Sequence, residues 1–128
     1  MKQKILIIED EKVLSELLEK KIKEEGYEAS IAMDGEEGLE SMKKEKPDLV
    51  LLDIIMPRMD GFRVMEEMNK DPELNLKKIP VVIVSNSGQP VEIDKALDLG
   101  VRDYLIKTQF DPMEVIDKIK KQIGSPKE

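Results

Sequence analysis

With neither cysteine nor histidine in its 128 residues, this chain has no thiolate nucleophile, no imidazole base and no disulfide, and no metal site built on those ligands. Chemistry then rests on carboxylates, hydroxyls, amides and lysines. Five such residues follow directly on apolar runs. Glu9 and Asp10 succeed Ile5-Leu6-Ile7-Ile8, and Asp53 succeeds Leu49-Val50-Leu51-Leu52. Ser85 closes Val81-Val82-Ile83-Val84, and Lys107 follows Tyr104-Leu105-Ile106. Taken singly, each is more simply a solvated loop residue or a helix cap. Taken together they make a different demand. Three carboxylates in a half-buried cleft repel one another until a proton or a cation relieves them. Mg²⁺ answers that demand with oxygen ligands, and it keeps several waters for a phosphate to displace. The lysine adds a compact positive charge and the serine a donor for a further anionic oxygen. Carboxylate nucleophile, cation, ammonium and hydroxyl are the parts of a phosphoryl-transfer site.

The set is useful only if the fold gathers it. The four apolar runs are continuous rather than alternating, the pattern of parallel strands covered on both faces. A weaker run over 27–32 reads as a fifth strand nearer an edge. Between them lie helical patterns with recognisable ends. Val13, Leu14, Leu17, Leu18 and Ile22 predict one apolar stripe, stopped at Gly26. Asp34 with Glu37 reads as a capping box opening a second helix, and Phe62, Met65 and Met68 mark a third. Pro90 and Gly100 bracket a fourth. Asp111-Pro112 opens a fifth, with Val115, Ile116, Ile119 and Ile123 inward. Five alternations imply a parallel α/β sheet with right-handed crossovers, expected as a flavodoxin-like, doubly wound (βα)5 fold of strand order 2-1-3-4-5. Its ligands bind at the carboxyl ends of the strands. Residues 1–123 form the expected domain, and 124–128 a tail or the start of a linker.

The composition agrees with one soluble domain: 40% hydrophobic, 38% charged and 3% aromatic, so Ile, Leu, Val and Met must build the core. A net charge of −7 argues against direct nucleic-acid binding, which depends on Lys and Arg neutralising phosphates. No apolar run reaches the roughly 18 residues of a membrane span, and residues 1–8 are too short for a signal peptide. A cytoplasmic address without membrane contact is expected.

Four stretches stand in order at the predicted strand ends: Ile5-Leu6-Ile7-Ile8-Glu9-Asp10-Glu11; Leu52-Asp53-Ile54-Ile55-Met56-Pro57 with Asp60-Gly61; Val82-Ile83-Val84-Ser85; and Asp103-Tyr104-Leu105-Ile106-Lys107. Together they resemble the receiver domain of two-component response regulators, the CheY-like family, over essentially the whole chain. The resemblance implies a switch rather than an enzyme acting on a separate substrate. Asp53 would take a phosphoryl group from a phosphohistidine of a sensor histidine kinase or a phosphotransfer protein. Asp10 would ligate Mg²⁺ (or Mn²⁺ in its place) directly and Glu9 through water, with Asp53 and the backbone carbonyl of Ile55 completing the protein's share. Ser85 and Lys107 would bond the phosphoryl oxygens. Tyr104 would change rotamer with Ser85 and carry the signal to the surface of the fourth helix, fifth strand and fifth helix, where a downstream protein or a phosphorylation-dependent dimer partner would bind. Met56-Pro57 and Asp60-Gly61 would shape the acceptor loop, Gly61 through a backbone form that a Cβ resists.

Two departures from the family pattern stand out. Thr108 follows Lys107 where the family usually has proline, so a trans bond and a rearranged loop are expected. Ile55 and Ser87 occupy the positions that tune phosphate loss, and neither orients an attacking water well, so a long-lived phosphoryl group is expected. Rival readings fit less well. A haloacid-dehalogenase-type phosphatase wants Asp-x-Asp after its first strand, and a flavodoxin would set its FMN phosphate against Glu9, Asp10 and Glu11. A degenerate receiver, working as an unphosphorylated binding module, is the remaining alternative.

Overall fold

The computed structural model describes residues 2–56, 58–86, 89–107 and 111–126. Strands β1 (Lys4–Ile8), β2 (Glu28–Ala32), β3 (Leu49–Leu52), β4 (Val81–Ser85) and β5 (Asp103–Ile106) alternate with helices α1 (Lys12–Glu24), α2 (Gly35–Glu45), α3 (Gly61–Lys70), α4 (Pro90–Leu99) and α5 (Pro112–Ile123). The strands form one parallel sheet in the order β2-β1-β3-β4-β5, as the alternation predicts.

The lack of polar alternation in the strands has a direct cause. Successive side chains point to opposite faces, and helices cover both. Leu6, Ile8, Val50, Leu52, Val81 and Ile83 pack with Met42, Val64, Met65, Met68 and Ala96 of α2, α3 and α4. Ile5, Ile7, Leu49, Leu51, Val82, Val84 and Leu105 pack with Leu18 and Ile22 of α1 and Val115, Ile116 and Ile119 of α5.

One expected stripe divides. Leu18 and Ile22 are buried and Leu14 is partly so, but Val13 is 83% and Leu17 48% exposed. A helix beside a sheet buries only about one third of its circumference. Leu14, Leu18 and Ile22 are spaced at i+4 and fall on the inner line, whereas Val13 and Leu17 sit one residue, about 100°, round the helix.

The helix ends follow the local chemistry. Asp34 Oδ1 accepts from Glu37 N–H at 2.9 Å, while Glu37 Oε2 reaches back to Met33 N–H at 3.3 Å rather than to that of Asp34, so the capping box is displaced by one residue. Asp60 accepts from Arg63 N–H, and Asp111 from Met113 and Glu114. Gly100, at φ +110°, ends α4 in a left-handed conformation that a Cβ would disfavour. At the far end of α5, Tyr27 Oη donates to the Gly124 carbonyl at 2.7 Å. Gln3 Nε2 donates to the carbonyls of Ile123 and Ser125. Among the described residues no helix is long and apolar enough to cross a membrane.

Candidate functional site

Strand register assembles the site. The β1–β3 pairing sets Ile8 beside Leu52, so the next residues, Glu9 and Asp53, leave the sheet side by side, and Asp53 N–H donates to the Ile8 carbonyl at 3.0 Å. The β4–β5 pairing sets Ser85 beside Ile106, which brings Lys107 up one residue further along. Each position depends only on where an apolar run stops. Ser85 is fully buried at the end of β4.

Charge meets burial here. Glu9 is 2% exposed and Asp53 4%, too little for bare carboxylates without a partner. Lys107 is that partner: Nζ lies 2.8 Å from Glu9 Oε1, 3.2 Å from Asp53 Oδ2 and 3.5 Å from Glu11 Oε1, its own side chain 7% exposed. Backbone groups complete the set, Glu11 N–H donating to Glu9 Oε2 at 3.0 Å and Ile55 N–H to Asp53 Oδ1 at 3.4 Å. Even so, burial pushes Glu9 up to about 7, despite the opposing Lys107 and Glu11 hydrogen bonds. Asp53 is raised as well, by burial first, against the Lys107 charge and hydrogen bond. Burial works against the Lys107 charge too, but its bonds and attraction to Glu9 and Asp53 outweigh it, and its pKa rises. The ammonium stays protonated, and burial holds both acids above their ordinary range, an excess of desolvation cost over what one lysine offsets.

A cation suits that excess. One carboxylate oxygen from each of Glu9, Asp10 and Asp53 lies within 4.8 Å of the others, and Asp10 is exposed, leaving a side open to metal-bound water. Oxygen-only donors, two of them buried and strained toward protonation, fit a hard divalent ion better than a soft one.

The loop that carries Asp53 is held by close approach. A Cβ on Gly61 would stand 2.5 Å from the Asp53 carbonyl oxygen, and one on Gly35 2.6 Å from that of Met59. Gly61 is thus required for proximity to the Asp53 backbone, not for a left-handed φ. Arg58, at φ 65°, adds an ion pair to the buried Asp34 at 3.3 Å. Ile55, two residues beyond Asp53, is 65% exposed. The Tyr104 ring packs on the α2–α3–α4 side of the core, with its hydroxyl oxygen buried. Pro57, Ser87 and the Lys107–Thr108 junction involve positions outside the described residues. Glu11, Arg58 and Asp34 were not among the expected site residues. An acidic triplet at 9–11 facing a lone strand-end lysine is the signal that points to Glu11; nothing in the sequence pairs Arg58 with Asp34.

Comparison with known proteins bears on the family and the fold. The family model described as the response regulator receiver domain matches residues 5–120. A "Probable transcriptional regulator ycf27" of Guillardia theta is 36% identical over 119 residues, 93% of this chain and 44% of that protein; the chain spans about half the length of the curated relatives it matches. Among solved structures, a CheY-like receiver domain protein from Methanospirillum hungatei JF-1 aligns with a TM-score of 0.84 at 27% identity, over 93% of this chain and 91% of that one. The chemotaxis protein CheY4 of Vibrio cholerae aligns at 0.88 and 22% identity, over 96% and 100%, a likeness of fold.

The raised Glu9 pKa fixes a pH dependence. Between the ordinary value of 4.5 and about 7, the folded chain holds a proton that the unfolded chain has released, so stability falls as pH rises through that window. In chelator, urea unfolding of the wild type should lose about 3 kcal/mol between pH 5 and 8, with Asp53 acting in the same sense. Glu9→Gln should flatten the curve. A wild type equally stable across that range contradicts the assignment.

Proposed function

The chain belongs to the response regulator receiver domain family, and from that premise we propose that it is a signalling switch set by a phosphoryl group on Asp53. The observation that carries the reading is a buried carboxylate, Asp53, held by Lys107 at 3.2 Å, with Glu9 and Asp10 within reach of a shared cation.

The donor is a phosphohistidine of a sensor histidine kinase or a phosphotransfer protein. An Asp53 oxygen attacks phosphorus, an O–P bond forms as the N–P bond breaks, and the electron pair leaves with the imidazole. Lys107 remains protonated, and when Asp53 loses its charge to the new acyl phosphate the ammonium turns to a phosphoryl oxygen. Ser85 donates its hydroxyl to another. Mg²⁺, with Mn²⁺ as a substitute, would be held by Asp10, Asp53, the Ile55 carbonyl and, through water, Glu9, and it supplies positive charge against the phosphoryl oxygens. Ser85 is then drawn toward the phosphoryl group, and Tyr104 changes rotamer beside it. The α4–β5–α5 surface presents the result to a protein partner or a second copy of the domain. On this reading the chain catalyses only its own phosphotransfer and dephosphorylation, and it works in the cytoplasm.

Incubation with a small phosphodonor and Mg²⁺, followed by intact mass, should show one added phosphoryl group, absent in Asp53→Asn and without the cation. No addition with any donor would favour a passive binding module. The apolar Ile55 side chain beside the acceptor offers no hydrogen bond to orient water. Ile55→Asn should therefore shorten the phosphoryl half-life about three- to tenfold, and an unchanged half-life would sink the idea of a long-lived mark.

A further inference from the structure

Among the described residues Lys107 has three carboxylate neighbours, but the group able to hold a cation is a different three. Glu9 and Asp53 belong to both sets; Asp10 belongs only to the cation group, and Glu11 only to the lysine. The inference rests on the proposed cation site, and it concerns what happens to Lys107 when that site fills. A divalent ion among Glu9, Asp10 and Asp53 takes up the oxygens that hold the ammonium and adds like charge beside it. Lys107, 7% exposed, has little water to turn to. The geometry points to Glu11 as the positioning residue that receives Lys107 at that moment. Its Oε1 is already 3.5 Å from Nζ, and its side chain is 53% exposed and free to swing. Its backbone N–H, bonded to Glu9 Oε2 at 3.0 Å, ties it to the acid being vacated.

Glu11 thus acts through Lys107. It lowers the competition between ammonium and cation for Glu9 and Asp53, and it keeps the ammonium at the rim, where a phosphoryl oxygen can meet it. No proton need move, because the exchange is between two ion pairs of the same lysine.

Mg²⁺ titration by calorimetry at fixed pH and ionic strength tests this without any turnover. Glu11→Gln should weaken Mg²⁺ binding about two- to fivefold, the size of one partly exposed charge pair. Glu16→Gln, the same charge removed from the exposed side of α1, should change it less than twofold. In a Lys107→Gln background the Glu11→Gln effect should shrink to that of Glu16→Gln, since no ammonium is left to receive. Equal effects of Glu11→Gln and Glu16→Gln with Lys107 present would overturn the role of Glu11 while leaving the cation site intact, as would a full Glu11→Gln effect without Lys107. A wild type that binds no Mg²⁺ would overturn the site and this inference together.

Discussion

At the carboxyl end of the sheet one ammonium group stands among carboxylates that outnumber it. Lys107 Nζ touches Glu9 and Asp53, both nearly sealed from solvent, and lies near Glu11 at the rim. Removing water from acids is costly, and a single lysine only partly offsets the cost, as the Glu9 pKa near 7 records. On the proposed reading the site is poised: whatever adds positive charge, or removes the charge on Asp53, rearranges the partners of Lys107. Everything else at this end of the molecule is built to keep that imbalance in place.

The scaffold does so by register. Two apolar strands that stop together place Glu9 beside Asp53, and the β4–β5 pairing delivers Ser85 and Lys107 to the same edge. A slip of one residue would turn every strand side chain to the other face, and both faces are packed, so the core itself fixes where the charges stand. The loop after Asp53 is then pressed between glycines whose missing Cβ atoms leave room for the carbonyls of Asp53 and Met59.

The fold was legible because its signals are local and redundant: four unbroken apolar runs, caps at Asp34 and Asp111, and breaks at Gly26 and Gly100. The gathering of Glu9, Asp10, Asp53 and Lys107 followed from strand ends alone. What did not show was anything set by three-dimensional angle. Val13 and Leu17 are as apolar as Leu18, and only the rotation of α1 against the sheet decides which is buried. The Glu11–Lys107 and Arg58–Asp34 pairs join residues 96 and 24 positions apart, with no spacing rule to connect them. Gly61 could be read as a turn residue, but its reason, contact with the Asp53 carbonyl, exists only once the loop is folded.

We propose that Asp53 accepts the phosphoryl group and that Lys107 changes partners when Asp53 is modified. A crystal structure grown with Mg²⁺ and beryllium trifluoride, a phosphoryl mimic that bonds to carboxylates, tests both halves directly. Beryllium bonded to an Asp53 oxygen, with the Lys107 ammonium on a fluoride and no longer on Asp53, is the predicted result. Beryllium on any other carboxylate, or an Asp53 left free and still paired with Lys107, would contradict it.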